Sequence, residues 1–161
     1  MKKYCLDTNV FIEPWNKYYS MDLAPNYWDM IDGLAKKGVI FCTEFVKKEI
    51  LKTDDHLSDW VKKRPYLFKP INEEVQKHLR VILRKHERLV DSSKSRSMAD
   101  PWVIAHAIAE QATVVTKEDP APSLTKKIKM PDVCKALNVE CINDFEFLAK
   151  MGVQFKATFK G

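Results

Sequence analysis

Ser97–Asp119, SMADPWVIAHAIAEQATVVTKED, is the stretch that most narrows what this chain can become. Asp100 and Pro101 open it. Apolar residues follow at Val103, Ile104, Ala107 and Ile108, the spacing of a helix that buries one face. After Gln111 the pattern changes to Thr113, Val114, Val115 and Thr116, a β-branched run that reads as a buried strand. Glu118 and Asp119 come just past it. A helix followed at once by a short buried strand, with acid near each end, suits an open α/β sheet whose ligand site lies at the strands' carboxyl edge.

The remainder repeats that alternation. Lys3–Asp7 (KYCLD) reads as a first strand ending in an acid, followed by Thr8, Asn9 and a short apolar piece, Val10–Ile12. Asn26–Lys37 reads as a helix through Trp28, Ile31 and Leu34, and Gly38 closes it. Val39–Cys42 is a second strand, with Thr43 the expected N-cap of a helix over Glu44–Leu51. Thr53–Lys63 is a short helix with Leu57, Trp60 and Val61 inward. Pro65 and Pro70 bracket an extended piece. Ile71–Val90 is the clearest helix: Val75, Leu79, Ile82, His86 and Leu89 form one stripe, and Lys77, Arg80, Arg84 and Arg88 lie opposite. Asp91–Ser97 is a polar connection. Pro120–Lys129 is a loop, Pro131–Leu137 a helix with proline first, Val139–Ile142 a last strand and Asp144–Met151 a last helix. The basic tail from about residue 152 is expected to be loose and flexible. This order predicts an α/β fold: a three-layer α/β/α sandwich about a central, mostly parallel sheet of four to five strands, in one domain over residues 1–161.

Composition fits that reading. With 161 residues, 45% hydrophobic and 30% charged, the chain belongs with soluble globular domains that bury a sizeable core. No apolar run approaches the ~20 residues of a membrane span. Asp7 arrives before any stretch long enough for a signal peptide, so a cytoplasmic protein with no membrane partner is expected. Cys5, Cys42, Cys134 and Cys141 lack CxxC spacing, which argues against a zinc ribbon or a thioredoxin-like site and for reduced thiols. A net charge of +5 is compatible with a polyanionic partner without requiring one.

Each acid has a structural role open to it when taken singly. Asp7 suits an Asx turn that stops the strand. Glu49 borders the buried side of its helix through Phe45 and Val46. Asp100 suits an N-cap ahead of Pro101, or the acid of a capping box begun by Ser97. Glu118 and Asp119 suit a loop. As a set they follow strands, or lie in the helices after them, on one edge of one sheet. Carboxylates gathered there repel unless a divalent cation lies between them. Magnesium or manganese prefers oxygen ligands and suits phosphodiester hydrolysis.

The segments YCLDTNVFIEP, FCTEFVKKEIL, ADPWVIAHAIAEQATVVTKE and KMPDVCKAL, which together span nearly the whole chain, resemble the PIN-domain nucleases, and more closely their VapC-like prokaryotic branch. The resemblance implies an acid cluster that binds Mg2+ or Mn2+ and supports ribonuclease cleavage of single-stranded RNA. Its acids fall on Asp7, Glu49, Asp100 and Glu118, with Glu44 an alternative register for the second. The family usually has aspartate at the fourth position. Here that position is Glu118 with Asp119 beside it, so either is open as the fourth acid. Asn9 matches a polar position that orients ligands, and Thr116 matches a hydroxyl position near the site. The resemblance further implies a homodimer and a toxin–antitoxin pair with an antitoxin protein partner.

For the RNA track, Lys77, Arg80, Arg84 and Arg88 are the candidates, against an ordinary solvated helix face. Tyr18, Tyr19, Tyr27 and Trp28 are open to base stacking or to core packing. The rival function is a non-catalytic RNA- or protein-binding PIN-like module. A haloacid-dehalogenase-like phosphatase is a distant third, because it needs aspartate where Asn9 stands.

Overall fold

Tyr4–Leu6 forms β1, and all three residues are buried. A strand apolar on both faces needs cover on both sides, so it takes the middle of a sheet. The computed structural model, which describes residues 1–87, 98–123 and 128–159, places it there. Ile40–Thr43 (β2) lies on one side of β1, and Phe68–Lys69 (β3) is outside it. Thr113–Val115 (β4) lies on the other side, with Cys141–Ile142 (β5) beyond. The order is β3-β2-β1-β4-β5 and every pairing is parallel, so the sheet is wholly rather than mostly parallel. The chain winds outward from β1 to β3, then passes back over to β4 and β5. That reversal leaves a crevice between the carboxyl ends of β1 and β4.

Helices cover both faces and complete the three layers: Asn9–Glu13 (α1), Pro25–Lys36 (α2), Glu44–Ile50 (α3), His56–Lys62 (α4), Glu73–Lys85 (α5), Asp100–Ala109 (α6), Met130–Ala136 (α7) and Asp144–Lys150 (α8). Among the described residues none is long and apolar enough to cross a membrane. Gly38, at φ +67°, ends α2 in the left-handed conformation that side chains disfavour. All four cysteines are free thiols.

Several local expectations change. Val10–Ile12 is helical and runs on into a π-helical turn, Pro14–Tyr18. Thr43 occupies the N-cap of α3, but its hydroxyl makes no capping bond and is buried without a partner among the described residues. The piece between Pro65 and Pro70 is a 3-10 turn feeding the two-residue β3. The helix expected over Ile71–Val90 starts two residues later, where Asn72 accepts from the Val75 amide at 3.0 Å, and ends at Lys85. Val75 and Ile82 of its stripe are buried, and Leu79 and His86 are half-buried. Arg88, Leu89 and Asp91–Ser97 lie outside the described residues. α6 packs on β1, β2 and β4 beneath α5, so Pro101, Val103, Ile104, Ala105, His106 and Ala107 are all buried instead of one stripe, while Ile108 is only half-buried. The tail is held at its start, where Val153 packs on the core and Phe155 stacks on Tyr19 at 5.2 Å.

Candidate functional site

Asp7 follows β1 directly. Its amide still belongs to the sheet, donating to the Val115 carbonyl at 3.0 Å, which fixes where its side chain starts. The carboxylate is buried: Oδ1 accepts the Thr8 amide at 2.7 Å and Oδ2 accepts the Thr116 hydroxyl at 2.9 Å. Burial outweighs these two bonds and pushes the carboxyl up to about 7, with the charges of Glu118 and Glu49 adding to it.

Asp100 is the first residue of α6, and Ala99, which has no side-chain cap to offer, holds the N-cap position. The expected N-cap role for Asp100 is therefore not realised, and Ser97, the other expected cap, lies outside the described residues. Burial, then repulsion from Asp7, Glu118 and Glu49, raises the Asp100 carboxyl to about 9.

Glu49 lies in the last turn of α3, half-buried, and its Oε2 accepts the Thr8 hydroxyl. Its Oε1 is buried and makes no hydrogen bond of good geometry among the described residues. Burial raises this carboxyl, while Thr8, Lys52 and the Ala99 amide oppose the rise. Glu44, the alternative register, is exposed. Glu118 is half-buried after β4 and accepts the Met130 amide at 3.1 Å, whereas Asp119 is exposed.

Asn9 and Thr116 knit the two strand ends together. The Asn9 carboxamide donates to the Thr116 hydroxyl oxygen at 3.3 Å and accepts the Lys117 amide at 3.0 Å. The same hydroxyl oxygen accepts the Glu118 amide at 3.2 Å. Asp7, Glu49, Asp100 and Glu118, carried by β1, α3, α6 and β4, thus share one electrostatic field at the switch point. Among the described residues no three His, Cys, Asp or Glu side chains lie close enough together to hold a metal ion between them.

The matching family model is the Domain of unknown function (DUF4411), over residues 4–155. The chain belongs to the DUF4411 family. No curated protein matches it. Similar solved structures include two that each cover most of this chain. One is VapBC2 from Rickettsia felis bound to a DNA fragment from their promoter, at 18% identity over 87% of this chain and 97% of that chain, with a TM-score of 0.55. The other is FitAcB from Neisseria gonorrhoeae, at 16% identity over 88% and 98%, with a TM-score of 0.52. At these identities the shared property is the fold, and it agrees with the VapC-like PIN architecture expected from the sequence.

Elsewhere in this DUF4411 chain, Lys77, Arg80 and Arg84 are exposed on α5, with Lys77 3.9 Å from Glu74, while Arg88 lies outside the described residues. Tyr27 and Trp28 are buried and serve packing, and Tyr18 and Tyr19 are half-buried. Sequence reasoning missed three parts of the site's frame: Lys117, Asp144 and the Met130 amide. Only Lys117 left a signal, as a cation between two strand-end residues that face the acids.

Proposed function

We propose that this DUF4411 chain is a divalent-metal-dependent endoribonuclease that hydrolyses RNA phosphodiester bonds, acting as the toxin of a toxin–antitoxin pair. One observation carries the reading. Four acids from four separate elements come together at the crevice between β1 and β4, where burial and the charges of Glu118 and Glu49 raise the Asp7 and Asp100 carboxyls. A fold concentrates uncompensated carboxyl groups in this way at functional sites.

The donor chemistry fits magnesium or manganese. Asp7, Glu49, Asp100 and Glu118 offer hard oxygens only, and Glu49 Oε1 is a buried acceptor with no hydrogen bond of good geometry among the described residues. These four residues would hold the ion. When bound, a divalent ion supplies Lewis-acid polarisation of a phosphate oxygen and lowers the pKa of water. The chain's own groups do the remaining work. Thr116 and Thr8 fix the rotamers of Asp7 and Glu49, and Asn9 holds the β4 end against α1. Glu49 or Glu118 accepts the proton of the attacking water, so no side-chain nucleophile is needed. Lys77, Arg80 and Arg84 extend the reading as phosphate contacts. An antitoxin partner and a homodimer extend it by analogy with the VapC-like branch and the fold shared with VapBC2 and FitAcB.

Incubation with labelled single-stranded RNA, with Mg2+ or Mn2+ and with or without a chelator, tests the proposal alongside calorimetry with Mn2+. Cleavage that chelation stops, together with saturable Mn2+ binding, is expected. RNA binding without metal binding or cleavage would replace the enzyme with a non-catalytic RNA-binding module.

A further inference from the structure

We propose that the buried Lys117–Asp144 ion pair is a positioning device for the carboxylate site, holding the segment after β4 so that Thr116 and Glu118 face the other acids; its bearing on metal binding rests on the nuclease reading above. Lys117 Nζ lies 2.8 Å from Asp144 Oδ2 and 3.8 Å from Glu13 Oε2. The two paired side chains are 9% and 3% exposed, so this is no surface bridge. The rings of Tyr18 and Phe145 stand 5.0 and 5.2 Å from the ammonium, and the Tyr18 hydroxyl donates to Glu13 at 3.3 Å. One cation therefore ties together three pieces of chain: the end of β4, the α1–π-turn segment and the first turn of α8.

The pair is poorly explained by stability alone. Desolvating two charges costs about what their attraction returns, and well-packed apolar residues often do as well or better. What such a pair adds is a fixed geometry, and here the geometry bears on the acids. Three successive residues alternate. Thr116 turns to Asp7, Lys117 turns away into α8, and Glu118 turns back toward the field felt by Asp7 and Asp100. The Lys117 amide is pinned by the Asn9 carboxamide oxygen at 3.0 Å. Asn143 in turn fixes the start of α8, accepting the Glu146 amide at 2.8 Å. Lys117 is thus clamped by its side chain to α8 and by its main chain to α1, which places the Glu118 backbone, while the Met130 amide holds the Glu118 carboxylate at 3.1 Å.

The test compares Lys117→Met, Asp144→Asn and the double variant. Each single change strands a buried charge and is expected to lower the melting temperature. The double variant removes both charges and is expected to recover most of that loss. Mn2+ affinity is not expected to recover with it, staying about tenfold or more weaker, as when outer partners of metal ligands are removed. Hydrogen exchange at the Lys117 and Glu118 amides is expected to stay faster than in the wild type. A merely structural pair would restore all three together, and a folded double variant with wild-type affinity and exchange overturns the proposal. In the wild type both amides are expected to exchange slowly; rapid exchange there overturns it with no variant at all. A wild-type chain that binds no manganese would sink the nuclease reading instead, and exchange at the two amides would still decide whether the pair holds the segment.

Discussion

The Thr116 hydroxyl donates to Asp7 Oδ2 at 2.9 Å, binding the end of β4 to the end of β1 across the crevice. A hydrogen bond to the charged form favours that form, so Thr116 is one of the few groups that restrain the rise of the Asp7 pKa. Thr116→Val keeps the shape and removes the donor. It should shift the acidic limb of the pH–rate profile to higher pH and weaken activity about 10–100-fold, the usual cost of losing a partner that orients a metal ligand. Thr116→Ser should retain most of both. A valine variant with an unmoved profile would show that the hydroxyl only packs.

Asp100 sets stability against activity. Burial and three neighbouring acids hold its carboxyl near pKa 9, so its charge is unwelcome in the metal-free fold. Asp100→Asn removes that charge at nearly constant volume. At pH 8 with chelator the variant should melt higher, by about 2–4 °C per kcal/mol of strain relieved. Its RNA cleavage should fall by about a hundredfold or more. Calorimetric scans and a cleavage assay on one preparation check both halves; a lower melting point would mean that the carboxylate is structural.

The two aspartates also fix a sign for the pH dependence. Unfolded aspartate titrates near about 3.9, whereas Asp7 and Asp100 titrate near about 7 and about 9 in the fold. Between those limits the native state holds more protons than the unfolded one, so stability falls as pH rises. Their contribution is complete below about pH 4, and is lost through about 7 for Asp7 and about 9 for Asp100. Acids with lowered pKa, such as Asp32, Glu110 and Glu140, act only at lower pH and in the opposite sense. Denaturant midpoints measured with chelator should therefore decline from pH 5 to 9. Excess Mn2+, which binds the deprotonated acids, should flatten or reverse the trend. A flat metal-free curve would remove the proposed coupling among these acids.

How much of this was readable in advance follows from what a linear pattern carries. Asp7 and Glu118 were legible because a strand's end is marked by the change from buried apolar residues to polar ones, and carboxyl ends of parallel strands share an edge. Asp100 was legible as a first-turn acid beside Pro101. Its neighbours were less so: apolar spacing suggested one buried face for α6, whereas packing under α5 and over three strands buried His106 as well. β3 escaped as a strand because two residues have no periodicity. Thr43 sat where a cap belongs, yet its hydroxyl was enclosed beyond reach of a capping amide. Lys117 and Asp144 are 27 residues apart on different elements, and nothing local in either points to the other.

The exposed face of α5 yields the last prediction. Arg80 and Arg84 are exposed one turn apart, and neither makes an ion pair among the described residues, while nearby Lys77 is drawn toward Glu74. Arginines held free of carboxylates are available to phosphates, and each phosphate neutralised releases counterions, so binding weakens with salt. A double change of Arg80 and Arg84 to alanine should weaken RNA binding at low salt. It should also flatten the plot of log affinity against log salt by about 1.4 units, the single-strand value for two lost phosphate contacts. The acids at the crevice are untouched, so Mn2+ binding should stay at the wild-type level, which separates a lost substrate track from a damaged site. An unchanged slope would return this face to ordinary solvent and move the search for the RNA path elsewhere on the molecule.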